Sequence, residues 1–220
     1  MTLLEKAERK PNRSKGIIAL IVAALGTIGI VIYAIYGSRQ LRSMDLAMLL
    51  VILAVTAYGV TETIIRGLLT AVSVYLATAV ASSFYAALTP YARTFLNLLA
   101  AAGIARPPAA PVDTSALAFS FAFASLLIWI ILESLFRVAL PETHLSLLGA
   151  LDRLGGSLVY LAVGIAFATL LFHTIGYGVA GRRPHNQASL RPEFNQAMDI
   201  IQQSQSIWFS GHPPVIYTYD

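Results

Sequence analysis

Ionisable residues within long apolar runs are the first candidates for chemistry in this sequence. Glu62, Arg66, Glu133 and His173 lie inside such runs or at their ends, and buried charges in a bilayer are costly and often functional. Glu62 and Arg66 are four residues apart with the acid first, which favours an ion pair on a helix. These groups could carry ions or protons, but we favour a structural pair, because each charge lies near a predicted helix end.

Glu133 and Arg137 repeat this spacing, which predicts that both pairs lie at the same membrane face. His173 has no second histidine three or four residues away, so a metal site on its helix lacks ligands. We expect it to be a hydrogen-bonded packing residue. The chain has no cysteine, and the usual nucleophile, phosphate-loop, dinucleotide and zinc signatures are missing. We therefore predict no catalytic residue, no cofactor, no metal and no enzymatic activity.

The elements that position these residues are apolar helices. Hydrophobic residues make up 57% of the 220 residues and charged residues only 12%, against about a quarter charged in soluble domains. A helix of roughly 20 apolar residues crosses about 30 Å of hydrocarbon. The sequence predicts an all-α, polytopic transmembrane helical bundle with about five spanning helices, at residues 16–36, 46–65, 68–88, 115–136 and 156–177.

The boundaries of these helices follow from single residues. Asp45 is a suitable N-cap for the second span, and Arg66–Gly67 is the only break before the third, which predicts a tight hairpin there. Pro90 is predicted to close the third span. The apolar stretch 94–105 is too short to cross a bilayer, so we expect a separate interfacial helix.

The two ends of the chain differ from the membrane domain, which we assign to residues 16–180. Residues 1–15 are basic, which favours a cytoplasmic N-terminus. Residues 181–220 form a polar tail that we place outside the bilayer, ending in an extended segment. An amphipathic helix is predicted over 193–208, with one face formed by Phe194, Met198, Ile201 and Trp208. The net charge of +4 is explained by basic residues flanking the spans, so nucleic acid is not an expected partner.

Three motifs occur in order along the chain. Asp45 opens an apolar helix that leads to Arg66–Gly67, and a weaker third motif contains Leu190, Pro192 and Phe194. Between them lies a segment containing Asp152, Arg153, Gly156 and Gly164. Together they resemble the colicin V production protein family of bacterial inner-membrane proteins, with the helix 16–36 as an addition. The resemblance implies a link to colicin V production or export and to envelope homeostasis, and it implies no catalytic residue.

The favoured function is therefore a non-enzymatic scaffold or accessory protein that supports export or envelope processes, with the lipid bilayer as its surroundings. A transport or channel component using Glu62 and Glu133 stays open, with His173 as a further group in a wet cavity. A structural subunit of a larger membrane complex stays open as well. Small residues at every fourth position, such as Ser73, Ala77 and Ala81, favour close helix packing within the chain and leave a homo-oligomer as an alternative.

Overall fold

The computed structural model describes residues 13–37, 40–102, 114–140, 150–177, 181–208 and 214–218. These residues form helices without any strand, which confirms the all-α fold. The helices are α1 (Arg13–Tyr36), α2 (Ser43–Gly59), α3 (Ile64–Ala101), α4 (Thr114–Ala139), α5 (Ala150–Tyr177), α6 (Arg182–Gln187) and α7 (Arg191–Gln205), followed by 3-10 turns at Ser206–Trp208 and Val215–Thr218.

Apolar length identifies the membrane-crossing helices. By length and composition α1, α3, α4 and α5 could each cross a bilayer, whereas α2 is apolar but has only 17 residues. The chain is therefore a multi-pass membrane protein with four long apolar helices and one short one in its described part, close to the predicted number of spans.

The bundle is built around α3 and α5. Helix α3 packs along α4 and α5, and α2 packs along α5. The predicted row of small residues at Ser73, Ala77 and Ala81 is buried within the chain, as expected for intramolecular packing. Helix α1 packs mainly on α2, and its apolar window is 0% buried, so nearly all of its surface faces outward.

Helix α3 is longer than the sequence predicts. It passes through Pro90 and continues to Ala101, so the predicted end at Pro90 and the separate interfacial helix over 94–105 are both wrong for the residues described. Directly before the proline, the hydroxyl of Thr89 donates to the carbonyl of Tyr85 (3.3 Å), which is not the Ala86 carbonyl that loses its N–H donor at Pro90. Membrane helices tolerate proline because neighbouring hydroxyls and helices satisfy the backbone groups that it disturbs.

The hairpin between α2 and α3 lies earlier than predicted. Helix α2 ends at Gly59 and α3 begins at Ile64, so residues 60–63 form the turn and Arg66–Gly67 lies in the first turn of α3. Thr63 is the N-cap of α3, and its hydroxyl accepts from the backbone N–H of Arg66 (3.3 Å). Asp45 is likewise the third residue of α2 and not its N-cap, a position held by Arg42.

The C-terminal segment is folded against the bundle. Helix α7 follows the predicted amphipathic pattern, with Phe194 and Met198 buried and Ile201 packed against the core. It ends at Gln205, so Trp208 lies beyond it in a 3-10 turn, and the Trp208 side chain is outside the described residues. The expectation of an extended end is wrong at Val215–Thr218, a 3-10 turn in which Ile216 and Tyr217 are buried. The place of this segment relative to the bilayer stays a prediction.

Candidate functional site

The turn between α2 and α3 rests on the beginning of α5. The carboxylate of Asp152 accepts from the backbone N–H of Ile64 (3.0 Å), so it supplies an acceptor to the first turn of α3 as well as lying in the first turn of α5. A Cβ at Gly156 would lie 2.7 Å from the carbonyl oxygen of Glu62 and 3.0 Å from the carbonyl carbon of Thr63. Only glycine allows this approach of backbone to backbone.

Arg66 forms an ion pair across the bundle, and its partner is not the predicted one. Its Nη2 lies 2.7 Å from Oε1 of Glu133, and the two side chains are 6% and 12% exposed. Glu62 belongs to the turn and not to α3. The four-residue rule holds only on a continuous helix, so Glu62 and Arg66 do not face each other as predicted.

Glu133 collects several donors at this end of the bundle. Its Oε1 also accepts from Arg137 Nε (3.1 Å), which forms the predicted four-residue pair on α4. Its Oε2 accepts from the hydroxyls of Thr70 (3.1 Å) and Ser73 (3.4 Å). One carboxylate on α4 is therefore held by four donors, three of them on α3 and one on α4.

Two tyrosines extend the network to α2 and α5. Arg137 donates to the hydroxyl of Tyr58 (3.0 Å), and Thr70 shares a hydrogen bond with the hydroxyl of Tyr160 (3.1 Å). The two tyrosine rings meet edge to face, with their centroids 5.6 Å apart. We call Tyr58, Arg66, Glu133 and Arg137 the charged end. It joins α2, α3 and α4 directly and α5 through Tyr160.

A cavity of about 450 Å³ opens at the charged end. Its polar lining comes from Tyr58, Thr70, Glu133, Arg137 and Tyr160, while apolar side chains of α2, α3, α4 and α5 form the remainder. The sequence identified Glu133 and Arg137 but missed Thr70 and Tyr160. A lone hydroxyl in an apolar helix carries no periodic signal, so neither residue could be recognised without the partner helix.

A second carboxylate, Asp45, lies at the start of α2 and is completely inaccessible to solvent. Its Oδ2 accepts from the backbone N–H groups of Arg42 (2.8 Å) and Ser189 (2.9 Å), and its Oδ1 accepts from that of Leu190 (3.0 Å). The Ser189 hydroxyl also donates to the Gln40 carbonyl (2.6 Å). We call Asp45, Ser189 and Leu190 the tail contact, because it fixes the segment before α7 to α2.

The family-like residues of the third motif have clear positions here. Leu190 supplies a backbone donor to Asp45, Pro192 lies in the first turn of α7, and the ring of Phe194 stacks on Phe172 with centroids 4.7 Å apart. In the second motif, Gly164 lies against α2, where a Cβ would come within 3.2 Å of the Ile52 carbonyl. Arg153 is exposed on α5, and nothing in the structure explains its presence in the motif.

His173 lies where α5, α6 and α7 meet. Its Nε2 is 3.4 Å from the Phe194 carbonyl, and its ring meets that of His185 edge to face at 5.7 Å. The described residues contain no group of three potential metal ligands. Burial beside Phe172 lowers the pKa of His185 below its usual range, because desolvation penalises the imidazolium. Both histidines therefore pack the tail against α5.

The end of the tail reaches the middle of α3. Gln205 is buried, and its Nε2 donates to the Thr78 hydroxyl (2.6 Å) and the Tyr75 carbonyl (3.1 Å). Its Oε1 accepts from the Tyr217 hydroxyl (2.8 Å). Burial raises the pKa of Tyr217 well above its ordinary value, so this hydroxyl is a fixed donor and not an acid.

Comparison with known protein families identifies a match over most of the chain. The family model described as Colicin V production protein matches residues 44–206, which are about three-quarters of the chain and exclude α1. No curated protein and no solved structure matches. The chain belongs to the colicin V production protein family.

Proposed function

We propose that this member of the colicin V production family is a non-enzymatic scaffold or accessory protein of the bacterial inner membrane. It supports toxin production or export, or a related envelope process. The family description supplies the link to colicin V, and the internal packing supports the scaffold role.

The proposal rests on the contacts of the charged groups inside the protein, which connect helices to one another. At the charged end, Glu133 is held by two guanidinium groups and two hydroxyls, and Asp45 is held by three backbone N–H groups. Both carboxylates join separate helices. Carboxylates whose hydrogen bonds hold helices together suit a scaffold. A catalytic or transport cycle would require these groups to change their protonation or their partners.

The test compares the amount of secreted colicin V with the amount of folded protein in the membrane. Colicin V secreted by cells that carry Glu62→Gln, Glu133→Gln or the wild-type chain as the sole copy is divided by the amount of monodisperse protein extracted from their membranes. A scaffold predicts the same ratio in all three strains. A folded Glu133→Gln variant with no secreted toxin would contradict it.

A transport or channel role is the second candidate, and the cavity at the charged end favours it. Glu133 lines about 450 Å³ of space together with Tyr58 and Arg137, and intramembrane acids beside a cavity mark many ion pathways. Proton flux into proteoliposomes would test it, with Glu133→Gln as the variant expected to abolish flux. Flux equal to that of empty vesicles for the wild-type protein would remove this candidate.

Helix α1 supports association with other subunits. Its apolar window is unburied within the chain, and it lies outside the residues that match the family. Extraction in mild detergent, followed by native mass measurement, distinguishes the outcomes. Foreign subunits at fixed stoichiometry, lost when residues 1–37 are deleted, would show a larger complex, whereas multiples of one mass would show a homo-oligomer.

The orientation proposed for this framework has the N-terminus in the cytoplasm, because five basic residues precede the first span. Accessibility of a single cysteine placed in residues 1–15 tests this directly, since the natural chain has none. Labelling by an impermeant reagent in intact spheroplasts would contradict the cytoplasmic assignment.

A further inference from the structure

We infer that a lateral cleft between α4 and α5 binds one acyl chain of a bilayer glycerophospholipid, with the ester carbonyl hydrogen-bonded to Ser125 and Trp129. This site goes beyond the proposed scaffold function and does not depend on it. The cleft exists because α4 and α5 each pack more closely on α3 than on one another.

The cleft has the size and walls of a ligand site. It encloses about 480 Å³ and is partly open, within the range of roughly 300 to 1,000 Å³ usual for small-molecule pockets. Its walls are almost entirely aliphatic and aromatic side chains of α3, α4 and α5. Phe123, Leu126 and Ile175 line it and are also exposed, so its opening is apolar and suits the hydrocarbon region of a membrane.

Four lining residues carry side-chain polar atoms, and they fall into two classes. Thr78 and Thr174 donate to carbonyls of their own helices, as Thr174 does to Leu170 at 2.7 Å. Ser125 Oγ and Trp129 Nε1 are buried, and within the described part of the chain neither has a hydrogen-bond partner. Two other serines of α4 show the usual arrangement, since Ser120 and Ser134 each donate to the carbonyl four residues earlier at 2.7 Å.

The two unsatisfied donors define the chemistry of the occupant. Ser125 is 9% exposed, and it lies one helical turn from Trp129, so both donors are on the same side of α4. A buried donor without an acceptor destabilises the protein, because the group has lost its hydrogen bonds to water. Water is a poor partner in such apolar surroundings, because a buried water needs two to four polar neighbours. An ester carbonyl can accept hydrogen bonds from both donors, and the hydrocarbon chain attached to it can pack against the apolar walls.

The direction of the lipid follows from the neighbouring cavity. Val74, Trp129 and Phe167 line both the cleft and the cavity at the charged end. The polar part of the lipid therefore lies toward the charged end, where the Arg137 side chain is 49% exposed. The acyl chain then extends from Trp129 past Ser125 and Phe121 toward the beginning of α4.

The test adds palmitoyl-oleoyl phosphatidylglycerol to delipidated, detergent-purified full-length protein and counts bound lipids by native mass spectrometry. The wild-type chain is expected to retain one lipid with saturable binding. The double variant Ser125→Ala, Trp129→Phe removes both donors and keeps the shape, so we expect about tenfold weaker binding. Ala122→Phe fills the cleft and should abolish binding.

Matched controls keep the result interpretable. Ser134→Ala and Ala139→Phe make the same changes at exposed positions of α4 outside the cleft and should bind like wild type. If Ala122→Phe is not monodisperse, the double variant alone decides. Equal binding by the double variant and wild type would overturn the inference, and so would equally tight binding of an alkyl detergent without an ester. A dimer that covers the cleft and excludes lipid would overturn it as well.

Discussion

Two carboxylates, the partly buried Glu133 and the fully buried Asp45, are stabilised in different ways at opposite ends of α2. Glu133 at the charged end faces two cationic side chains and two hydroxyls. Asp45 at the tail contact faces only backbone N–H groups. The charged end therefore depends on the identity of distant side chains, whereas the tail contact depends on the path of the chain around residues 189 and 190.

The difference predicts which part of the molecule each carboxylate controls. Loss of Glu133 leaves a cationic side chain buried between membrane helices, which affects the whole bundle. The segment around residues 189 and 190 is predicted to lie outside the bilayer, so we expect polar solvent to satisfy the backbone groups that loss of Asp45 frees once the segment detaches. The first change is expected to unfold the bundle, and the second to release the tail.

The largest effect is expected from Glu133→Ala. Removing one partner of a buried ion pair costs about 3 to 5 kcal/mol because the remaining charge is uncompensated, and Arg66 is only 6% exposed. The free energy of unfolding in mixed micelles measures the loss. The double variant Arg66→Met, Glu133→Leu should recover most of it, and a double variant as unstable as Glu133→Ala would contradict the assignment.

Asp45→Asn should have the next largest effect. An amide has one acceptor oxygen where the carboxylate uses two, so at least one N–H loses a charge-assisted bond, at a cost of about 2 kcal/mol. The loss should appear first as faster hydrogen exchange across α7, with α3 and α4 unchanged. Asp199→Asn is the matched control, because Asp199 is exposed on α7. Uniformly faster exchange throughout the bundle would show that the tail contact and the charged end unfold as one cooperative unit, against this prediction.

Gly156→Ala should weaken the charged end by a smaller amount. The added methyl group meets the backbone of the turn at Glu62 and Thr63, and overpacking of this kind costs about 1 to 3 kcal/mol. Gly29→Ala is the control, since a Cβ there meets nothing within 4 Å. The melting temperature in detergent should fall for the first variant and stay or rise slightly for the second. A larger fall in melting temperature for Gly29→Ala than for Gly156→Ala would contradict the close approach of Gly156 to the turn.

The smallest effect is a pH dependence confined to the tail. Because burial lowers the pKa of His185 in the folded state, the unfolded state binds more protons, and stability declines as pH falls below the unfolded value of about 6.5. The decline should stay under about 1 kcal/mol per pH unit. Hydrogen exchange in α6 and α7, corrected for intrinsic pH dependence, measures it, and His185→Phe should remove the slope. An unchanged slope in that variant would assign it to another group.

The sequence predicted the helices better than the contacts between them. Apolar runs identify spans because every backbone group in lipid must be satisfied within a helix. The partner of Arg66 was missed because a shift of the hairpin by a few residues removes Glu62 from the helix. Pro90 was misjudged because proline ends helices in water, whereas membrane helices tolerate it more often and α3 continues through it.

The polar tail shows a further limit of sequence reasoning. The face of α7 was correctly predicted from its period, but nothing in that period indicates which helix it meets. Gln205 reads as a solvent-facing residue, yet it is buried against Thr78 and Tyr217. Such contacts join residues more than a hundred positions apart, and the sequence holds no local trace of them.

The short length of α2 has a consequence for the membrane itself. Its 17 residues span about 25 Å, which is about 5 Å less than a typical hydrocarbon core. Where α2 lies across the bilayer, we expect the bilayer to thin beside it or the polar side chains at its ends to extend to the interface, at a fraction of a kcal/mol for each ångström of mismatch. We therefore expect the protein to favour thin membrane regions, with the distance between the tail contact and the charged end setting that preference.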